Sequence, residues 1–232
     1  MTTKTALVTG ANKGIGLEIA RQLRALGLHV LVGARDPLRG KEAAAAIGAE
    51  FLQLDVTDPD SIAAAAAQVE VLDVLVNNAG VLLERGALPS ATPVAMLRET
   101  YEVNVLGVVA VTNAFLPALR RAPAGRIVNL GSGLGSLAFT ADPSHVYAQN
   151  PLLAYNSSKT ALAAVTLSYA NELRSTPIKV NLADPGYCAT DLNFHSGPRT
   201  PTQGATAAVR LATLHDDGPT GAFHDEDGVV PW

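Results

Sequence analysis

The sequence has a single cysteine, Cys188, which excludes an internal disulfide framework; no Cys/His spacing marks a zinc site, so no metal is expected. It also lacks a basic block. Its 17 Lys and Arg stand against 21 Asp and Glu, and this net charge of −4 argues against nucleic acid or an anionic membrane as partner. No apolar run reaches the about eighteen unbroken residues that a membrane span needs, because Gly, Pro, Asn or charged residues interrupt each candidate. MTTKTALVTG leaves no space for the apolar core of a signal peptide, so the expected location is cytoplasmic. No internal repeat is present. What is abundant is apolar side chain: 48% of 232 residues, ample for the core of one domain spanning 1–232. That length leaves little room for a separate substrate domain. Any ligand site must therefore be built into the fold itself.

Short, uniformly apolar runs at Thr5–Thr9, His29–Ala34, Phe51–Leu54, Val71–Asn77, Arg126–Gly131 and Lys179–Ala183 read as strands buried on both faces. A last strand is expected at Gly221–His224. Helical patterns lie between them. Ile15, Ile19, Leu23 and Leu26 recur at helical spacing over Gly14–Leu26, and Pro59 after Asp58 suits a first helical turn behind a cap. Alanine-rich stretches at Ala43–Ala46 and Ala63–Ala67 read as surface helices. Strands that alternate with helices imply right-handed crossovers and a single-domain, doubly wound α/β Rossmann fold on a parallel sheet of about seven strands.

The segment from Thr9 to Gly16 (TGANKGIG) sits between the first strand and the first helix. Gly10, Gly14 and Gly16 let the backbone turn tightly and approach a pyrophosphate at the helix N-terminus, with Asn12, Lys13 and Ile15 in the same turn. The second strand ends Gly33-Ala34-Arg35. Ala34 supplies no carboxylate for an adenosine ribose, whereas Arg35 can pair bidentately with a 2′-phosphate and Lys13 adds a second positive charge. The expected cofactor is NADPH/NADP, with NADH disfavoured; Asp36, next in sequence, leaves some NAD use open.

Tyr155 and Lys159 lie four residues apart on one face of a helix. The pair is short and gains meaning from its company: Asn77-Asn78-Ala79-Gly80 after the fourth strand, Asn104 in the next helix, Ser132 after the fifth, and Pro185-Gly186 after the sixth. In these motifs and their order the sequence resembles the short-chain dehydrogenase/reductase family across essentially its whole length. TGANKGIG, GAR, LDV, NNAG, YNSSK and PGYCATD are most similar to the NADPH-dependent carbonyl reductases within it. The resemblance implies a catalytic tetrad of Asn104, Ser132, Tyr155 and Lys159. It also implies adenine contacts from Asp55 and Val56, cofactor contacts from Asn78, Ala79, Gly80, Pro185 and Gly186, and a nicotinamide contact from Thr190. Asp55 can equally cap the following helix, Thr190 can cap one near Asp191, and Asn104 can be a helix-face amide. His145, His195, His215 and Cys188 match no motif and read as structural.

The chemistry implied is reduction of a ketone or aldehyde: NADPH delivers hydride to the carbonyl carbon while Tyr155 protonates the oxygen. Lys159 is expected to lower the Tyr155 pKa from its free value near 10 and to hold the nicotinamide ribose. Ser132 would steady the developing alkoxide, and Asn104 would hold a relay water. The alternatives are oxidation of a secondary alcohol on the same residues and a non-catalytic dinucleotide sensor. Ser132 and Tyr155 are 23 residues apart, with Phe139–Pro151 as an insertion. Because it precedes the helix at which the family commonly dimerises, both a homo-oligomer and a monomer stay open. Asp191–Gln203 has the composition of a mobile loop and lies where the family has its substrate lid. Tyr187 would line the pocket or serve packing. Substrate choice, for a small carbonyl or alcohol, is thus expected to rest on 139–151 and 191–203.

Overall fold

Strands that are apolar on both sides need cover on both sides, which the chain supplies by alternating them with helices. A computed structural model describes residues 3–84, 86 and 88–232. Strands β1 (Thr5–Thr9), β2 (His29–Ala34), β3 (Glu50–Gln53), β4 (Val74–Asn77), β5 (Arg126–Leu130), β6 (Lys179–Ala183) and β7 (Phe223–His224) form one sheet in the order β3-β2-β1-β4-β5-β6-β7. All six pairings are parallel, as expected. The helices are α1 (Gly14–Ala25), α2 (Pro37–Ile47), α3 (Pro59–Ala66), α4 (Val94–Tyr101), α5 (Gly107–Arg121), α6 (Leu137–Ala141), α7 (Leu153–Glu172) and α8 (Pro201–Ala212).

Alternate strand residues feed two cores. Ala6 and Val8 face Ile19 and Leu23 of α1 and the small residues Ala205 and Ala208 of α8. Leu7, opposite Leu31 and Leu75 in its neighbours, faces the other way toward Val111 and Phe115 of α5 and Tyr169 of α7. A fully buried leucine such as Leu7 is worth about 2–5 kcal/mol against alanine. Polar residues between β4 and β5 are satisfied internally: Asn77 donates to Asn129 (2.9 Å) and Thr112 (3.1 Å), and Asn129 donates to Thr166 (2.9 Å). This buried ladder joins both strands to α5 and α7 beneath the site.

Several boundaries differ from expectation. β4 begins at Val74 rather than Val71, because Val71 is exposed and Leu72 donates its N–H to Ala118 of α5 instead of to a strand. β7 is shorter than Gly221–His224, since Gly221 has a positive φ of 72° and turns the chain. The alanine-rich stretches are helical, yet Ala43, Ala44 and Ala65 are buried, so α2 and α3 each turn one face inward. The continuous helical run Val94–Arg121 is, contrary to expectation, long and apolar enough to cross a membrane. Its interruptions at Asn104, Gly107 and Pro117 are absorbed without breaking it. Over half of its most apolar window, 56%, is buried in the fold, which accounts for its composition by core packing.

Candidate active site

The strand order reverses between β1 and β4, and at such a point the loops leaving the strand ends open a crevice. Gly10 and Gly14 there have φ of 62° and 58°, a region that favours glycine. A Cβ on Gly16 would lie 2.3 Å from Asn78 Nδ2 and 2.8 Å from the Gly10 carbonyl, and one on Gly10 would lie 2.9 Å from Ala79 Cα. The turn after β4 is clamped onto this glycine turn. Thr9 Oγ1 accepts the N–H of Asn78 and of Ala79 (both 3.0 Å), and Asn78 Nδ2 donates to the carbonyls of Thr9 (2.8 Å) and Gly10 (3.2 Å). Lys13, at the N-cap of α1, offers no side-chain cap, so the first helical N–H groups have no side-chain acceptor at the cap. A glycine cradle at an uncapped helix N-terminus fits a dinucleotide pyrophosphate.

At the far end of this cradle the expected cations behave differently. Arg35 is exposed and has no hydrogen bond or ion pair among the described residues. Lys13, by contrast, is paired at 2.6 Å with Asp191. Asp36 caps α2, accepting from the N–H of Leu38 (3.0 Å) and Arg39 (3.1 Å), and its second oxygen pairs with the Arg39 guanidinium at 3.6 Å. Arg39, on the surface of α2, joins Asn12, Lys13 and Asp191 around a shallow groove and was missed because a lone helix-surface arginine carries no local signal. Asp55 does not cap α3. It closes a turn by accepting from the Thr57 N–H (3.0 Å) and hydroxyl (2.8 Å), while Asp58 accepts from Asp60 as the N-cap. Val56 backs onto Gly107, where a Cβ would meet the Val56 carbonyl at 2.8 Å.

The four tetrad residues come together over the cradle. Lys159 Nζ lies 5.6 Å from the centre of the Tyr155 ring and donates to the Leu130 carbonyl (2.8 Å). The Ser132 hydroxyl is placed to hydrogen-bond the Tyr155 phenol, and its Oγ accepts the N–H of Leu134 (3.2 Å). Asn104 is not in a regular α-helix but in a π turn, Glu102–Leu106, of the kind that often marks functional positions. Its amide is fully engaged: Oδ1 accepts from the Val81 N–H (2.8 Å), and Nδ2 donates to the Val81 carbonyl and to Ser158 Oγ (both 3.0 Å). A Cβ on Gly80 would lie 3.3 Å from Asn104 Oδ1 and 3.6 Å from Lys159 Nζ, so Gly80 keeps the space between them open.

The expected lowering of the Tyr155 pKa is not what its surroundings in the fold produce. Burial, aided by Asp184, pushes the phenol up to about 12 against the opposing hydrogen bond from Ser132. Burial also brings the Lys159 ammonium down to about 8, with Asp184 acting the other way.

Of the remaining candidates, Gly186 has a φ of 70° and Pro185 precedes it in the loop leaving β6. Thr190 donates its N–H to Asn193 Oδ1 (3.2 Å) at the start of a 3-10 turn, Asp191–Asn193, and its methyl faces Gly14. Tyr187 is half exposed, with its hydroxyl 2.5 Å from Ser196 Oγ. Both segments on which substrate choice is expected to rest contain short helical turns. Residues 139–151 hold the end of α6 and a 3-10 turn, Val146–Gln149, and Phe139 stacks on His145 at 4.3 Å with Tyr147 tilted beside both. In 191–203 the last three residues already belong to α8, capped by Thr200 with Gln203. His195 is paired with Asp191 at 2.9 Å.

Glu84 was also missed. It is buried, and its carboxylate accepts from the N–H of Ala154 (3.1 Å) and Tyr155 (2.8 Å). It thereby caps α7, whose own N-cap residue Leu152 has no capping side chain. The uncapped start of α7 was the available sign that a cap must come from elsewhere.

A parallel sheet with a glycine cradle at its switch point and a Ser/Tyr/Lys cluster beside it defines an α/β oxidoreductase of the dinucleotide-binding class. A family model described as short chain dehydrogenase matches residues 4–199, and the chain belongs to that family. It is 36% identical over 228 residues to a short-chain dehydrogenase, anuI, of Penicillium roqueforti (strain FM164), covering 92% of this chain and 90% of the relative. It is 33% identical to (+)-neomenthol dehydrogenase of Arabidopsis thaliana, with 98% of both covered. That alignment runs over 291 positions against 232 residues here, so the plant relative carries segments this chain lacks. Among solved structures, NADPH-bound carbonyl reductase from chicken fatty liver superposes with a TM-score of 0.86 at 28% identity over all of both chains. Salutaridine reductase from Papaver somniferum gives 0.81 at 29% identity, covering 95% of this chain and 99% of the other.

Proposed function

We propose that this chain is a cytoplasmic, NADPH-dependent carbonyl reductase that converts a ketone or aldehyde to an alcohol. The observation that carries the reading is the Ser132–Tyr155–Lys159 cluster set beside the clamped glycine cradle. Bound in that cradle, the reduced dinucleotide supplies the hydride. Gly10, Asn12, Gly14, Ile15 and Gly16 hold its pyrophosphate, Arg35 with Arg39 and Lys13 holds the 2′-phosphate, and Asp55 and Val56 bound the adenine. Asn78 to Gly80, Pro185, Gly186 and Thr190 line the nicotinamide side.

Ser132 holds the substrate oxygen and Tyr155 donates its proton to it. Burial keeps the phenol protonated, so the proton it donates in reduction is in place before the hydride is transferred. Lys159 supplies positive charge beside the phenolate left behind. Since its ammonium is lost as pH rises through about 8, reduction should fall off on the alkaline side. The Asn104 side-chain amide is spent on Val81 and Ser158, so the relay water expected of it would not rest on that amide. Activity of the purified chain on ketones, aldehydes, quinones and ketoesters, followed by NADPH absorbance and repeated with NADH, tests the reading. Consumption of NADPH with at least one class supports it, and binding of NADPH without turnover on any class overturns it.

A further inference from the structure

Asp184 follows β6 directly, is buried, and has no part in the scheme above. Its Oδ2 accepts the N–H of Gly133 (2.9 Å), next to Ser132, and its Oδ1 accepts the N–H of Gly186 (2.9 Å). Its own N–H is bonded to the His224 carbonyl of β7 (2.8 Å), so the side chain springs from a fixed point of the sheet. A Cβ on Gly133 would stand 2.9 Å from Oδ2 and 2.2 Å from the Tyr147 ring, so the carboxylate is closed in on that side. The ionisable groups in electrostatic reach are Tyr155 and Lys159 of α7, Tyr147 before it, Cys188 and Arg199 of the loop beyond β6, and Asp225 after β7. Arg199 is committed to Glu226 through both terminal nitrogens (2.5 Å each). Among the described residues no cation forms an ion pair with Asp184.

We propose that Asp184 is a positioning residue for the reaction: its carboxylate ties the Ser132 loop to the Pro185–Gly186 loop, and its charge stands beside the Ser132–Tyr155–Lys159 cluster. Both loops leave adjacent parallel strands, β5 and β6, and the carboxylate bridges them, while each is otherwise bonded to different elements: the first to α7 through Thr160, the second to the segment around Arg199. Burial raises the Asp184 pKa, while the two glycine N–H donors and Arg199 oppose the rise. The second half of the proposal rests on the carbonyl-reductase reading; the first does not.

Two measurements separate them. Uniform 15N-glycine labelling of the whole chain isolates the amides of 20 glycines, and a pH titration follows those of Gly133 and Gly186. The tie predicts that both move together, with one apparent pKa above the ordinary aspartate value of about 3.9, and that neither does so in Asp184→Asn. Separate or absent titration overturns the tie. The pH profile of kcat/KM is then taken with NADPH and 9,10-phenanthrenequinone, an activated diketone. Asp184→Asn keeps one carbonyl acceptor but replaces the other with an N–H2 group and removes the charge. Its alkaline limb should move about one pH unit toward acid, and kcat should fall about tenfold to a hundredfold. An unmoved limb in a folded variant overturns the electrostatic role, whatever its kcat. If the wild-type chain reduces no carbonyl compound, the functional reading falls while the glycine titration still decides the tie.

Discussion

Around Gly10–Gly16 each turn is clamped by a neighbour: Thr9 and Asn78 lock the loops after β1 and β4 together, and Gly16 has no space for a methyl group. Residues 139–151 and 191–203, by contrast, rest on short helical turns, an aromatic stack and exposed ion pairs such as Lys13–Asp191, which joins the second segment to the edge of the glycine turn. Under the proposed function the first region would meet a ligand whose shape does not vary, so close backbone fit is useful there. The second would meet the variable substrate, and it is held by side chains that can be exchanged without moving the sheet. The two regions should therefore respond differently to substitution.

The largest effect belongs to the residue on the seam. Tyr155→Phe removes the proton donor and should reduce turnover by about a thousandfold or more, with NADPH affinity nearly unchanged by fluorescence titration. A rate within tenfold of wild type would remove Tyr155 from the mechanism. Next comes Gly16→Ala, whose methyl would meet Asn78 and the Gly10 carbonyl; it should cost about 1–3 kcal/mol of stability in urea melts and weaken NADPH binding as well. If Gly16→Ala is neutral in both, the cofactor side is less rigidly built than its contacts indicate.

The contrast also explains what could be read in advance. The glycine turn, the NNAG turn and the Tyr/Lys pair are local patterns whose spacing reflects a local backbone need, and the alternation of apolar strands with helices gave the sheet. Glu84 and Asp184 were invisible because their partners lie far along the chain: Glu84 caps a helix 70 residues on, and Asp184 reaches back 51 residues to Gly133. A lone acidic residue after a strand looks like any loop residue until the sheet brings its partners to it. The raised Tyr155 pKa was hidden for the same reason, since Lys159 at four residues is legible but burial is a property of the assembled fold. The start of β4 was misplaced because Leu72 is apolar for burial against α5 rather than for pairing, and Val71 beside it is an exposed apolar residue outside any strand.

The cations at the cradle offer a smaller and sharper test. Arg35→Ala should raise the Kd for NADPH about tenfold or more while leaving NADH nearly unchanged, because a bidentate phosphate contact is lost. Lys13→Ala should have the smaller effect. Its ammonium is already bonded to Asp191, and a pair that is more than half exposed gives up little net energy when it is exchanged for a phosphate. A larger loss from Lys13 than from Arg35 would show that Asp191 releases Lys13 readily. It would also place the 191–203 segment, assigned above to the substrate, under control of the cofactor.

The mildest change should come from Tyr147, and it isolates the substrate side. Its ring covers Gly133 next to Ser132, packs beside Phe139 and His145, and is itself only partly buried, so Tyr147→Ala opens the wall without hollowing the core. NADPH affinity should stay within twofold, and the loss in stability should remain below about 2 kcal/mol. What should change is the ratio of kcat/KM between a bulky cyclic ketone and a small aliphatic one, by about tenfold, since contacts of this size discriminate substrates on that scale. The opposite pattern, a weakened cofactor with an unchanged ratio, would mean that Tyr147 supports the Ser132 and Gly186 loops from behind. The aromatic segment would then belong with the clamped half of the site, and the division between the two regions would have to be drawn beyond residue 151.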